Sequence, residues 1–328
     1  MNRETLTRII GDLTEGLTPE LTAEDFPCFS AEATEGNEHV SPDYLDVIAR
    51  SLDKSDIATF ERAAKAMDDG DLAWIGFKIV YDPEAAMSNT DNEVTKKYGD
   101  EGSADGEPLV FFCNDAKECV ASRPYSPRDF FQMKDVTRGP SMHNEQFEGL
   151  TWASVPLFDS VRVWLLGASD ASSEVAALAH HVGFDVTVVD YDPAYVNESR
   201  FPDAHRIVLP GFDELDKIKA DDSDYVCVLT RGHMFDPEGC VWALANNVHY
   251  VGMMGCAGKN ERVYELVREA GMTDADWERV KRPIGLKFGA KTPAELAISI
   301  VAELVDVRYR QRYSEEARAK HEASLGRS

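Results

Sequence analysis

The sequence predicts an α/β protein in which a doubly wound parallel sheet follows a smaller α+β domain. Two observations predict the parallel sheet. Five short apolar runs recur through the C-terminal half, and amphipathic helical segments separate them. Continuous apolar strands alternating with helices are typical of a parallel sheet covered on both faces. The predicted strands cover residues 161–167, 185–190, 206–209, 225–230 and 250–255.

Two helices of this half have clear signatures. Residues 170–182 carry apolar side chains at helical spacing, which predicts a helix packed on the sheet. The last helix begins with Thr292 as N-cap, Pro293 at its first position and Glu295 completing a capping box. Its broad apolar face predicts that it too covers the sheet.

The N-terminal half gives weaker signals. Its periodic segments predict helices at 42–52 and 55–68, strands at 72–80 and 108–113, and a short helix from Ser126. Residues 138–149 have the composition of a linker. The chain is therefore divided into an irregular acidic extension (1–40), a small α+β domain (41–157), a Rossmann-like domain (158–312) and a frayed polar tail (313–328).

Charge excludes several classes of partner. The 328 residues carry a formal charge of −25, and residues 1–150 hold 31 acidic but only 14 basic residues. Such a field repels nucleic-acid phosphates and anionic lipid. No basic-then-apolar leader and no apolar run of roughly 18 residues is present, which favours a cytoplasmic location.

The six cysteines are scattered and include no C-x-x-C pair. This spacing favours reduced thiols over a disulfide framework or a structural zinc site. The cysteines are Cys28, Cys113, Cys119, Cys227, Cys240 and Cys256.

The turn after the first strand of the C-terminal sheet departs from the usual phosphate-binding pattern. A Rossmann-like sheet normally has G-x-G-x-x-G here, whereas this chain keeps only Gly167 and continues through Ala168 and Ser169 to Asp170. A carboxylate at the start of the helix would repel a pyrophosphate. Asp190 closes the second strand at the spacing expected for a ribose-binding acid, but it is equally placed to form a turn.

A second glycine-rich turn follows the fifth strand, at the sheet edge where such folds bind ligands. Gly252 and Gly255 allow close approach to the backbone, and Cys256 and Lys259 lie where the next helix is predicted to begin, near residue 259 or 260. This turn could bind an anion through its backbone, hold a reactive thiol at Cys256, or serve only close packing of strand and helix. Of the two functional hypotheses, anion binding is favoured.

Thr230, His233 and Asp236 follow the fourth strand and reach the same edge. A histidine beside an aspartate can transfer protons or bind metal, yet no third ligand has suitable spacing, so no metal site is predicted. The simpler interpretation is that His233 is a loop histidine with only a structural hydrogen bond. Cys256, His233 and Asp236 are the catalytic candidates, and the absence of nucleophile-elbow, H-E-x-x-H and P-loop motifs disfavours hydrolases and kinases.

Three segments together resemble the XdhC/CoxI family, the maturation factors of molybdenum hydroxylases such as xanthine dehydrogenase. The last two segments are specific in combination, and the resemblance covers residues 161–310. The residues in family order are Pro283, Gly285, Gly289, Ala290, Thr292 and Pro293. The segments are GFDVTVVDYDPAYVNESRFPDAHRIV, YVGMMGCAGKNERVYELVREAGM and RPIGLKFGAKTPAELAISIVAELVDVR.

The resemblance implies a Rossmann-type domain that binds molybdopterin, guards it during sulfuration and passes it to an apo-hydroxylase. Such a protein is a cofactor-binding chaperone more than an enzyme, with a cysteine desulfurase and a second copy of itself as further partners. The cofactor-binding residues then expected are Gly167, Ala168, Ser169, Asp190, Thr230, Gly252, Gly255, Cys256, Lys259, Gly285 and Gly289.

The chain also departs from the family pattern. Asp170 stands where the family usually has a histidine, and Cys256, Ala257 and Gly258 stand where serine and arginines are common. The family's S-G-G-C-V-E segment has no counterpart, so neither Cys113 nor Cys119 takes that cysteine's role. Two other functions stay open: an NAD(P)-dependent oxidoreductase, and an interaction or sensor subunit whose Rossmann site no longer binds nucleotide.

Overall fold

A computed structural model gives the fold of the chain. It describes residues 1–23, 25–26, 43–87, 106–137, 141–143, 148–158, 160–255, 257–313, 315 and 318–319. The chain divides into two compact units, Met1–Asp159 and Ser160–Ser328. The predicted domain boundary at residues 157 and 158 lies two residues before this division.

The N-terminal unit contains an antiparallel sheet of five strands with the spatial order β3-β2-β1-β5-β4. Its helices and strands agree with the predicted helices at 42–52, 55–68 and Ser126, and with both predicted strands. The helices are α1 (Arg3–Glu15), α2 (Asp43–Ser51), α3 (Ile57–Asp69), α4 (Pro83–Met87) and α5 (Pro127–Val136). The strands are β1 (Ala73–Val80), β2 (Leu109–Asn114), β3 (Cys119–Ala121), β4 (Ser141–His143) and β5 (Leu150–Pro156).

Helix α1 corrects the prediction of an irregular extension over residues 1–40. Asn2 caps the helix by accepting a hydrogen bond from the Thr5 backbone N–H, and Gly16 ends it in a left-handed conformation. Leu6, Ile9 and Leu13 are buried in the core of the unit. Spacing of three and four residues places these side chains on one face, so burial stabilises the helix although the surrounding sequence is acidic. Residues 27–40 lie outside the described part of the chain.

Strand β5 and the short strand β4 were not predicted. Residues 138–149 read as a linker, but Ser141–His143 pairs with β5, which in turn pairs with β1. The polar residue Ser154 obscures the strand pattern, because its side chain is buried and donates to the carbonyl of Val136 at 2.5 Å. A buried hydroxyl with an internal partner is compatible with a core strand.

The expectation that all cysteines are reduced is wrong for one pair. Cys113 and Cys119 face each other across the β2–β3 hairpin and form a disulfide. Their separation of six residues did not indicate a disulfide in the sequence. The register of the hairpin places Cys113 opposite Cys119 and so brings the two side chains together. Cys227 and Cys240 are free and buried, and burial raises the pKa of both thiols.

The C-terminal unit is the predicted doubly wound parallel sheet. Its spatial order is β8-β7-β6-β9-β10-β11, with all pairings parallel, and this is the strand order of a Rossmann fold. The strands are β6 (Arg162–Leu166), β7 (Asp185–Asp190), β8 (His205–Val208), β9 (Tyr225–Val228), β10 (Tyr250–Met253) and β11 (Val280–Lys281). The helices are α6 (Asp170–His181), α7 (Asp236–Ala245), α8 (Ala257–Glu269), α9 (Asp274–Arg279) and α10 (Pro293–Arg312).

Apolar clusters cover both faces of this sheet. One joins α6 and α10 to the sheet, and the other joins α7 and α8 to it. The predicted capping box at the start of α10 is confirmed, with Glu295 N–H donating to Thr292 and Glu295 accepting from the Thr292 backbone. The helix ends at Arg312, and most of the predicted tail lies outside the described residues. Among the described helices, none has the length and apolar character needed to cross a membrane.

Candidate functional site

The strand order changes direction between β6 and β9, and the crevice outside such a point is where doubly wound sheets bind ligands. Here the two strand ends touch. A Cβ atom added at Gly167 would lie 2.5 Å from Cα of Thr230 and 2.6 Å from the carbonyl oxygen of Leu229. Gly167 also has a φ of +108°. Its lack of a side chain is therefore required by the contact between the strand ends, independently of any ligand.

The first turn of α6 is satisfied by its own side chains. Ser169 caps the helix by accepting from Ser172 N–H, and the Ser172 hydroxyl donates to the carbonyl of Gly167 at 2.6 Å. Asp170 is 85% exposed and pairs with Arg200 at 2.9 Å. Serine hydroxyls and a carboxylate thus occupy the positions where a phosphate turn offers bare backbone.

Asp190 is the best-satisfied carboxylate of the edge, with only 1% of the residue exposed. One oxygen accepts from Ala168 N–H at 2.8 Å, and the other accepts from the N–H groups of Tyr191 and Asp192 at 2.8 and 3.1 Å. Arg231 donates to both oxygens, at 3.1 and 3.4 Å. A carboxylate has about four acceptor positions, so none is left for a ribose hydroxyl.

Arg231 covers this carboxylate from the outside. Its guanidinium lies 3.7 Å from the centre of the Tyr195 ring and 5.2 Å from that of Tyr191, and it also pairs with Asp192 at 3.6 Å. Partial burial of Arg231 lowers its pKa, but the hydrogen bond and charge of Asp190 outweigh burial and hold the pKa above its usual value.

A sheet of this type usually binds a dinucleotide at this edge, but the residues of the turn after β6 and the acid at the end of β7 do not fit one. The phosphate turn carries Ser169, Asp170 and Ser172, and the acid at the end of β7 is already fully bonded. Ala168 contributes its backbone N–H to Asp190 and so has none to offer a phosphate.

Thr230, His233 and Asp236 do meet, as the sequence predicted. Asp236 is buried, accepts from the Thr230 hydroxyl at 2.5 Å and lies 2.9 Å from Nδ1 of His233. The Thr230 hydroxyl accepts in turn from Phe235 N–H at 3.3 Å. His233 has a φ of +60° and follows Gly232 at +64°. Within the described part of the chain, no group of three or more metal-ligating side chains is suited to a metal ion.

Two hollows adjoin His233. The first, here called the Gly255 cavity, has a volume of about 280 Å³ and is lined by His233, Met254, Gly255, Pro283, Ile284, Leu296 and Ile300. The second, the Met234 groove, measures about 530 Å³ and is lined by Gly232, His233, Met234, Pro237, Gly258, Arg262, Val263 and Leu266. The edge beyond β9 and β10 is therefore open, unlike the edge at β6 and β7.

The remaining predicted glycines divide by role. Gly252 is packed, because an added Cβ would lie 2.6 Å from Ile284 and from the Tyr250 hydroxyl. Gly285, with φ +93°, approaches helix α10 so closely that a Cβ would lie 2.3 Å from Oγ of Ser299. Gly289 has φ +87° and open space around it. Of the predicted glycines at this end of the chain, Gly255 lines a cavity, Gly252 allows close side-chain packing, and Gly285 and Gly289 have left-handed backbone conformations.

Two predicted residues cannot be placed. Cys256 and the side chain of Lys259 lie outside the described residues, so the working-thiol and cradle-lysine hypotheses stay predictions. The helix that follows begins earlier than expected, at Ala257 rather than near residue 259.

Arg231 is the residue that sequence reasoning missed. It follows Thr230 directly, so it had to lie at the ligand edge, and that position was the available signal. The aromatic contacts around it, in which Phe235 stacks on Phe212 at 4.9 Å and meets Tyr191 at 5.4 Å, had no sequence signature.

Residues 163–304 match the family model of the XdhC Rossmann domain. This part of the C-terminal unit is therefore similar to the XdhC Rossmann domain. The predicted resemblance, which began at residue 161 and ended at 310, is confirmed over these residues.

Two relatives are similar to parts of the chain. The chain is 30% identical over 182 residues to a protein of Bacillus subtilis (strain 168) that is named a probable subunit of xanthine dehydrogenase, covering 54% of this chain and 53% of that protein. It is 27% identical over 151 residues to the uncharacterized protein YqeB of Escherichia coli (strain K12), covering 45% of this chain and 27% of that protein. The chain thus spans about half or less of these relatives.

A solved structure described as a xanthine dehydrogenase from Bacillus halodurans is also similar. It has a TM-score of 0.45 and 20% sequence identity, covering 79% of this chain and 69% of that one.

Proposed function

We propose that this protein is an accessory or maturation factor for a molybdenum hydroxylase of the xanthine dehydrogenase type, and that its XdhC domain holds molybdopterin for sulfuration and insertion. The match of residues 163–304 to the XdhC Rossmann domain carries the proposal. The relative from Bacillus subtilis, itself named a probable subunit of xanthine dehydrogenase, supports the choice of client.

The open edge near β10 is the favoured place for this cofactor. Helix α8 has no acidic residue in its first turn, whereas α6 begins with Asp170 and α7 with Asp236. The positive end of α8 therefore favours a phosphate, and Arg262 adds a positive charge in the Met234 groove. In the Gly255 cavity, Ile284 and Leu296 offer an apolar surface for the ring system.

The partners follow from the same proposal. An apo-hydroxylase would receive the cofactor, and a cysteine desulfurase would supply the sulfur for its sulfuration. The acidic surface of the chain favours basic partner surfaces, because complementary charge steers association.

The geometry disfavours the alternative of an NAD(P)-dependent oxidoreductase. Arg231 seals Asp190, and Asp170 places a carboxylate at the start of α6, where this fold would bind a pyrophosphate. The same closure is compatible with the other alternative, an interaction or sensor subunit without a nucleotide.

The test is cofactor retention by the full chain. Purified protein is loaded with molybdopterin, washed, and oxidised with acid and iodine, and the fluorescent pterin product is measured. We expect retention in the wild type and a reduction of about tenfold in Leu296→Trp, because the larger ring fills the Gly255 cavity. Ile298→Trp is the matched control on the same helix, since Ile298 is 54% exposed and lies outside the cavity lining.

Client activity supplies an independent readout. In cells lacking this protein, a xanthine-dehydrogenase-type hydroxylase should accumulate with little activity, and the wild-type chain should restore it. Absence of both pterin retention and client dependence would favour the interaction or sensor subunit, and tight NAD(H) or NADP(H) binding would favour the oxidoreductase.

A further inference from the structure

A chain of hydrogen bonds through Thr230 and Asp236 orients the ring of His233. The Thr230 hydroxyl accepts from Phe235 N–H, so its proton points to Asp236, and the other Asp236 oxygen meets Nδ1 of His233. Asp236 is also the first residue of α7, so the backbone of that helix fixes its position.

The backbone adds a second observation. His233 has a φ of +60°, in a region that side-chain-bearing residues rarely adopt, and the preceding Gly232 is also left-handed. His233 N–H donates to the Thr230 carbonyl at 3.1 Å and holds this tight turn. Such conformations persist where the surroundings determine them, and they occur often at functional sites.

The second ring nitrogen is left for a ligand. Nδ1 faces a carboxylate that can only accept, so the neutral ring carries its proton on Nδ1 and has a lone pair on Nε2. No described residue hydrogen-bonds to Nε2. His233 lines the Gly255 cavity, and its side chain is one quarter exposed.

We propose that Thr230, Asp236 and His233 form a proton relay in which Nε2 of His233 takes a proton from a weakly acidic group of a small ligand in the Gly255 cavity. His233 is the residue that touches the ligand, and Asp236 and Thr230 are positioning residues. The arrangement is that of a general base oriented by a buried carboxylate.

The step moves one proton and no electrons. The N–H, O–H or S–H bond of the ligand breaks as an N–H bond forms at Nε2. The imidazolium that results is stabilised by the Asp236 carboxylate, and reverse transfer restores the neutral ring.

The cavity lining restricts the ligand class. Met254, Ile284 and Leu296 are apolar, and the cavity of about 280 Å³ holds a small ring system but no dinucleotide. The ligand therefore combines an apolar face with one acidic proton. A pterin satisfies this description, yet the relay does not depend on the ligand being a pterin, and its tests use none.

The first test reads the tautomer of His233 in the full chain by NMR with ¹⁵N-labelled histidine. In the wild type, the neutral ring should carry its proton on Nδ1. Asp236→Asn should shift a substantial fraction to the Nε2–H tautomer, because an amide can donate to Nδ1. Exposed His181 serves as an internal reference in the same spectra.

The second test measures whether the lone pair on Nε2 of His233 is available and whether it faces the Gly255 cavity. Diethyl pyrocarbonate modifies unprotonated imidazole nitrogens, and mass spectrometry gives the rate for each histidine. We expect Asp236→Asn to slow modification of His233 by about tenfold. Leu296→Trp should slow it by a similar factor, about tenfold, because the cavity is filled, while Ile298→Trp leaves it unchanged.

Three results would overturn the relay. They are an Nε2–H tautomer in the wild type, a tautomer that Asp236→Asn does not change, and a rate of His233 modification that is the same in Leu296→Trp as in the wild type. A merely structural histidine predicts the last result, since its Nε2 need not face the cavity. Circular dichroism and thermal unfolding of each variant establish that it is folded.

Discussion

The two glycine-containing turns at the carboxyl edge of the C-terminal sheet differ in whether they leave room for a ligand. Ser169 and Asp170 in the turn after β6, together with Asp190 at the end of β7, bond to neighbouring backbone and to arginines, and no room is left for a dinucleotide. After β10, Gly255 borders a cavity and helix α8 starts without a carboxylate. One fold can therefore keep its strand order while the open space at its edge lies beside different strands.

The largest expected effect concerns the closed turn. Gly167→Ala should lower the free energy of unfolding by about 3 kcal/mol or more, because its Cβ would meet backbone atoms of Leu229 and Thr230 that cannot move aside. The denaturant midpoint of the C-terminal unit measures this. Gly183→Ala is the control: its φ is +81° but nothing lies within 4 Å, so about 1 kcal/mol is expected. Equal losses would mean that the strand ends do not touch as described.

Arg231→Ala should remove about 2 kcal/mol of stability, because it breaks a charged hydrogen bond to a buried carboxylate. Arg200→Ala is matched to it. Both arginine side chains are 23% exposed, but the partner of Arg200 is the exposed Asp170, so less than about 1 kcal/mol is expected. Comparable urea midpoints for the two variants would contradict the distinction between a sealed and a solvated acid.

Asp170→Asn should reopen the first turn to anions in part. Removing the carboxylate frees the start of α6 and Arg200, so inorganic phosphate should bind about fivefold more tightly, equivalent to about 1 kcal/mol. Glu174→Gln removes an equal charge from an exposed position of the same helix and should have little effect. Isothermal titration at low salt measures both. If the two variants behave alike, the charge of Asp170 matters only through the net charge of the chain.

The smallest effect distinguishes the two ends of the sheet. His249 precedes β10 at the end opposite His233, and burial, followed by the charge of Arg279, lowers its pKa below the usual value. The unfolded state therefore binds more protons, so this residue makes stability fall as pH drops through about 6.5. His249→Asn should flatten a thermal unfolding profile below that pH. A slope unchanged by the substitution would assign the dependence to another group.

Much of the C-terminal fold could be predicted from periodicity. Five of its six strands and the capping box at Thr292 have signatures that involve only residues close together in sequence. Helix α1 was missed because its apolar face is narrow and its surroundings are acidic. The triad of Thr230, His233 and Asp236 was predicted as a group because its members span only seven residues.

The sequence by itself determined the alternation of strands and helices in the C-terminal unit, the glycine positions and the absence of a standard phosphate turn, because these follow from local patterns. Only the tertiary structure decided that Arg231 seals Asp190, 41 residues away, and that Gly167 serves a contact between strand ends. It also decided that a cavity lies beside Gly255. Such features depend on the alignment of side chains from separate strands and helices, which no local pattern encodes.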